Sequence, residues 1–250
     1  DLAERVDGVR EALGLEAVTP DDAGLEPIRA VHAGHYLDFL ASAYDEFRKL
    51  PNAGPEVLPN VHPYGAGSVG LEPRPEPRSK GILGRTGWYI GDLSCAMMAY
   101  TFEAALRSAD SSVAAARAVA AGAPAAYALC RPPGHHAERS KAMGFCFFNN
   151  VAVAALHALE THGLERVAIV DFDVHHGNGT EDIFRDDPRA MMVSIFQHPF
   201  YPYCGTDDPP RHMVNIPVPA GTRGDAFRQI VWDIWLPALR EHQPQMLFIS

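Results

Sequence analysis

Cysteine is scarce in this chain, and what there is stands unpaired. Its four cysteines, Cys95, Cys130, Cys146 and Cys204, form no CxxC, and their spacing suits neither a disulfide framework nor a zinc finger. Reduced thiols in a cytoplasmic protein are the expectation. No apolar run approaches ~18 residues, so no membrane-spanning helix is expected. Positive charge is in deficit: the formal net charge is −10, which argues against nucleic acid, because phosphate binding needs a basic face. There is no internal repeat and no low-complexity segment. The opening DLAERVDGVREALGL lacks a secretory leader's apolar core and reads instead as a charged amphipathic helix.

What is present suits one large α/β domain or two small ones. Of 250 residues, 47% are hydrophobic, enough to bury a substantial core. Residues 1–50 read as helical, with breaks at Pro20 and Pro27. Residues 51–87 are rich in proline and glycine and read as one long loop. This loop contains GAGSVG at 65–70, a literal dinucleotide-binding pattern. Its context rejects that function, since NVHPY precedes it and the prolines of LEPRPEPR forbid the helix that must follow. Residues 92–121 read as a long helix or helix pair with Met97, Met98 and Tyr100 in the core.

Beyond Gly122 the pattern alternates. Strands are expected at Ala125–Cys130, Arg166–Phe172, Ala190–Phe196 and Gln245–Ser250. Helices are expected at Asn150–His162, with Asn150 as N-cap and Gly163 as the stop, at Thr180–Phe184, and at Gly224–His242 with Trp232, Trp235 and Leu239 on one side. Apolar strands alternating with helices imply a parallel sheet covered on both faces.

Ligands in such sheets bind beyond the carboxyl ends of the strands. Three polar segments follow three expected strands: RPPGHHAERSKAMGFCFFNN, DVHHGNGT and QHPFYPYCGT. In VDFDVHHG an extended backbone would point Asp171, Asp173 and His175 one way and Phe172 and Val174 the other. Two carboxylates and an imidazole on one face need a cation or proton to offset them, and this donor set suits Zn²⁺ or another first-row divalent ion. The pair His135-His136 follows two stiffening prolines and reads as two metal ligands, as a base with an electrostatic partner, or as a surface pair; beside a metal site it becomes a general-base candidate near neutral pH. Asp171 and Asn178 can orient one histidine each. Gly144 and Phe145 read either as part of a core strand or as the lining of a narrow apolar channel. Tyr201 and Tyr203 read either as channel walls or as part of an ordinary proline-rich turn.

RPPGHHA, GFCFFNN and VDFDVHHGNGT together resemble the zinc-dependent histone deacetylase superfamily, closely over residues 125–206. GILGRTGWYIGDLSCAMMAY is similar to its acetylpolyamine amidohydrolase branch. The resemblance implies an arginase/deacetylase-like three-layer α/β fold with a central parallel sheet. It implies catalytic Zn²⁺ on Asp173 and His175, and His136 as the base, oriented by Asn178, beside His135, oriented by Asp171. It implies structural K⁺ near Asp171 and Ser194, and a tunnel walled by Phe145 and by Tyr201 or Tyr203. The implied activity is removal of acetyl groups from small acetylated amines. Deacetylation of acetyl-lysine in proteins is the alternative within the family, and an inactive acetyl-ligand binder is the alternative outside it. A homodimer using the 51–87 loop is implied as well. The family's third zinc ligand and oxyanion-stabilising tyrosine belong after the strand at which PQMLFIS ends. Residues 1–250 are therefore expected to be one partial deacetylase domain, weakly active alone.

Overall fold

The computed structural model describes residues 8, 9, 11, 12, 14, 16–62 and 75–250. The GAGSVG stretch and most of the expected N-terminal helix lie outside these residues. In chain order the elements are α1 (Glu26–Val31), α2 (Gly34–Phe47), α3 (Ile82–Tyr89), α4 (Thr101–Ala120), α5 (Asn150–Thr161), β1 (Val167–Asp171), α6 (Asn178–Phe184), β2 (Ala190–Gln197), β3 (Met213–Val218), α7 (Gly224–Ile230), a π-helical turn (Val231–Trp235), α8 (Leu236–His242) and β4 (Met246–Ile249).

Four strands form one parallel sheet in the order β3-β2-β1-β4. Period-two alternation divides their side chains between two apolar layers. Val167, Ile169 and Met192 face the larger core, which α1, α2 and α5 complete. Ala168, Met191, Val193 and Ile195 face a smaller core under α7–α8, closed by Trp235. Ile169 and Met192 are fully buried, each stabilising the fold by roughly 1.5–3 kcal/mol relative to exposure. Among the described residues no helix is long and apolar enough to cross a membrane.

Several elements differ from expectation, each for a physical reason. The 51–87 region is not all loop, because its end winds into α3. Residues 91–100 are not helical: the backbone of Met97 bridges to Val57, burying Met97 but leaving Met98 and Tyr100 exposed. Ala125–Cys130 runs without a ladder, since no described strand lies against it. Asn149, not Asn150, caps α5, its Oδ1 accepting from the Ala152 amide at 3.1 Å. The expected helix at 224–242 contains the π turn, whose extra residue shifts the phase of the helix face. Trp235 is therefore buried while Trp232 stays exposed. Strand β3 was not anticipated because Pro217 breaks its signal; at a sheet edge, proline's missing N–H is tolerated.

Candidate active site

The site forms where β1 ends. Asp171, its last residue, is 0% exposed. Its Oδ2 accepts from Nδ1 of His135 at 2.8 Å, and its Oδ1 accepts from the amide of Asp173 at 3.1 Å. Asp173 repeats the device: its Oδ1 accepts from the His175 amide at 2.7 Å and lies 2.9 Å from His175 Nδ1. The expected extended alternation therefore ends at Asp171. Two successive side-chain-to-backbone turns bring Asp173 and His175 together instead, and leave Phe172 and Val174 exposed.

The tandem histidines come from the segment 131–137. Their rings are 4.0 Å apart, and Nε2 of His135 lies 3.9 Å from Oδ1 of Asp173. Nδ1 of His136 meets Oδ1 of Asn178, at the start of α6, at 2.8 Å. This packing requires Gly179, because a Cβ there would lie 2.3 Å from the carbonyl oxygen of Ala137. The two imidazoles differ electrostatically. Burial opposes charging His135, but the hydrogen bond and charge of Asp171, with Asp173 behind them, outweigh it and raise its pKa. Burial, and then the charge of His135, lower the pKa of His136 to about 3. Adjacent groups driven apart in this way mark an acid–base pair.

Gly144 and Phe145 sit at φ 57° and 65° in the centre of a tight turn closed by the Cys146 amide on the Met143 carbonyl at 2.9 Å. A left-handed phenylalanine costs roughly 1–2 kcal/mol, and here it leaves Phe145 63% exposed, next in sequence to the Gly144 that packs on His136. The next residues, Cys146, Phe147 and Phe148, are buried core. The GFCFF run thus divides between the two expectations. Of the two tyrosines, Tyr201 reaches the site: its ring meets His136 edge-on at 5.1 Å and His175 at 5.7 Å. Tyr203 does not. It is 72% exposed at φ 64° and makes no ring contact with the histidines among the described residues.

Asp173 and His175 present an oxygen and a nitrogen donor 2.9 Å apart on partly exposed side chains, a pair that fits two positions of a zinc-type ion. Among the described residues no three such side chains gather into a complete cage. Ser194 pairs in register with Asp171, and its fully buried Oγ has no hydrogen-bond partner. An unpartnered buried hydroxyl beside a buried carboxylate fits a monovalent cation.

Three site residues were not anticipated. Phe200 stacks on His175 at 5.1 Å, Asp92 accepts from Tyr201, and Glu138 accepts from Asn178. Phe200 and Glu138 lie inside the polar segments already singled out, so proximity in sequence was the available signal. Asp92 had none.

Several known proteins resemble this chain along its whole length. A family model described as histone deacetylase domain matches residues 2–250. The acetylpolyamine amidohydrolase of Burkholderia pseudomallei is 39% identical over 261 residues, covering 100% of this chain and 72% of that protein. Histone deacetylase 14, chloroplastic, of Arabidopsis thaliana is 41% identical over 263 residues, covering 100% of this chain but 57% of that protein. The crystal structure of the acetylpolyamine aminohydrolase from B. pseudomallei superposes with a TM-score of 0.87 at 39% identity, over 99% of this chain and 72% of that one. The parallel sheet flanked by helices is therefore the α/β fold of these solved structures.

Proposed function

The chain belongs to the histone deacetylase family, and from this premise we propose that it is a metal-dependent amidohydrolase that removes acetyl groups from acetylated amines, with acetylpolyamines as the preferred class. The observation that carries this reading is the meeting of two differently oriented imidazoles with the Asp173–His175 donor pair at one sheet edge. Similarity to proteins named for acetylpolyamine hydrolysis supports the substrate class.

Asp173 and His175 would hold a Zn²⁺-type ion, which acidifies water and polarises an amide carbonyl. The chain's own residues do the rest. With Nδ1 of His136 engaged by Asn178, its Nε2 keeps the lone pair that takes a proton from water. His135, whose pKa the hydrogen bond and charge of Asp171 raise against burial, is the better placed of the two to carry a proton for the leaving amine. Phe145, Phe200 and Tyr201 supply apolar surface around an acetyl chain and exclude water. Asp171 and Ser194 would hold a K⁺ beneath β1. A homodimer completes the reading, and mass measurement in solution checks it.

A second reading, deacetylation of acetyl-lysine in proteins, rests on the 41% identity to a protein named as a histone deacetylase. One experiment addresses these readings together. The purified chain is analysed for zinc and assayed on acetylputrescine and on an acetyl-lysine peptide. The proposal expects about one zinc per chain, lost in His175→Ala, and faster turnover of the diamine. Preference for the peptide would favour the second reading. Binding of both ligands without turnover, even in a chain extended through the family's third zinc ligand and tyrosine, would sink the enzyme and leave an acetyl-ligand binder.

A further inference from the structure

An asparagine amide has two ends that differ chemically but barely in shape. In a His–Asn pair this matters. If the carbonyl faces the ring, the near nitrogen must carry the proton and the far nitrogen keeps the lone pair. If the amide nitrogen faces the ring, the proton moves to the far nitrogen and the base is lost. His135 needs no such choice, because both ends of Asp171 accept. His136 does, and the residues around Asn178 make it.

We infer that Glu138 is the positioning residue for His136: it holds the amide of Asn178 with Oδ1 toward His136 Nδ1, and so keeps the lone pair on Nε2. This rests on His136 being the base. Glu138 Oε1 lies 2.9 Å from Nδ2 of Asn178. A carboxylate only accepts, so it selects the amide nitrogen. The Sδ of Met143, also an acceptor, sits 3.3 Å from the same nitrogen. Turning the amide over would set its carbonyl oxygen against both acceptors, while the His136 ring could follow by moving its proton to Nε2. The choice of orientation therefore comes from Glu138 and Met143, and His136 takes the tautomer they impose.

Glu138 is itself fixed. Its Oε2 meets Nζ of Lys141 at 2.6 Å, with the two side chains only 16% and 13% exposed. The backbones of these residues bridge, the Glu138 amide donating to the Lys141 carbonyl at 3.0 Å. Lys141 supplies the charge that a mostly buried carboxylate requires. The chain Lys141–Glu138–Asn178–His136 therefore runs from a cation to the base without a break. All of it except Asn178 lies within HHAERSK, so one short turn carries both the base and the device that orients it.

The test reads the tautomer directly. Long-range ¹H–¹⁵N correlation spectra of the labelled chain near pH ~8, with His136 assigned from a His136→Gln spectrum, show which ring nitrogen is protonated. We expect the Nδ1–H form in the unaltered protein and substantial Nε2–H form in Glu138→Ala, where kcat falls about tenfold with KM little changed. Adding Asn178→Asp to Glu138→Ala should restore the Nδ1–H form and most of the rate, because a carboxylate has no wrong end. Asn178→Asp alone should lose activity by setting two carboxylates together. Lys141→Met, should Glu138→Ala not fold, is expected to shift the tautomer the same way but less. An unchanged tautomer in Glu138→Ala, or no rescue by the second substitution, overturns the inference. A chain that hydrolyses no acetylated amine would overturn the proposed function instead, and the spectra would still decide the role of Glu138.

Discussion

The hydroxyl of Tyr201 donates a 2.6 Å hydrogen bond to Oδ2 of Asp92, 109 residues earlier in the chain. The same oxygen accepts from the Gly144 amide at 3.0 Å. One carboxylate thus ties the turn that carries Phe145 to the aromatic ring lying across His136 and His175. Burial works to raise the pKa of Asp92, but the bonds from Ser94, Tyr201 and Gly144 outweigh it and hold the carboxyl below its usual range. Tyr201→Phe should lower stability by only about 1 kcal/mol, since Asp92 keeps its other donors. It should raise KM more than it lowers kcat. Urea unfolding and steady-state kinetics check this, and a kcat loss with unchanged KM would place Tyr201 in the chemistry rather than in the wall.

Gly144 presses on the base. At φ 57°, a Cβ on it would lie 2.2 Å from Cδ2 of His136. Gly144→Ala should therefore displace the imidazole and cost about a hundredfold in kcat, the penalty of a ~1 Å misplacement. Gly221→Ala, at φ 81° with nothing within 4 Å, is the matched control and should leave the rate unchanged.

The unpartnered Oγ of Ser194 leads us to expect that stability depends on a monovalent cation. If K⁺ fills the place of its missing hydrogen-bond partner, unfolding free energy should rise by roughly 2–3 kcal/mol when K⁺ is about a hundredfold above its Kd. Lithium should not substitute. Ser194→Ala should flatten the response, and thermal melts across a K⁺ series would show it. Equal melts in K⁺ and Li⁺ would remove the cation from the account.

His32 gives the fold an acid limit from behind the turn that carries Glu138. It is buried, with Nδ1 against the carbonyls of Glu138 and Arg139 at 3.1 and 3.3 Å and Nε2 accepting from the Asn149 amide at 2.9 Å. Protonating Nε2 would break the last bond. Burial lowers the pKa to about 4, against the carbonyl bonds that favour charge. The unfolded chain, with an ordinary histidine near ~6.5, binds the extra proton more readily between the two values. Stability from this group is therefore complete above pH ~6.5 and lost as pH falls toward 4, by roughly 3 kcal/mol in all. Urea midpoints between pH ~7 and ~4.5 should fall accordingly, and His32→Gln should flatten the slope.

Much of the site was legible because its chemistry is local. Strands β1 and β2 announce themselves as apolar runs, and the polar residues after them fall where parallel sheets bind ligands. Asp171, Asp173 and His175 lie within five positions, and the turns that gather them use only their own backbone amides. Residue type offered Asp171 and Asn178 as one partner each for the tandem histidines, and the family resemblance assigned which partner goes with which.

What the sequence by itself determined, then, is which groups are available and at which ends of which strands: patterns with periods of two to four residues survive in a linear reading. The tertiary structure alone decided which distant groups face each other. It chose Tyr201 over Tyr203, brought Asp92 to Gly144, placed Trp235 inside by a π turn, and admitted a strand containing Pro217 because that strand lies at an edge. Each outcome depends on the packing of segments tens of residues apart, and a hydrogen bond spanning 109 residues leaves no periodic trace at either end.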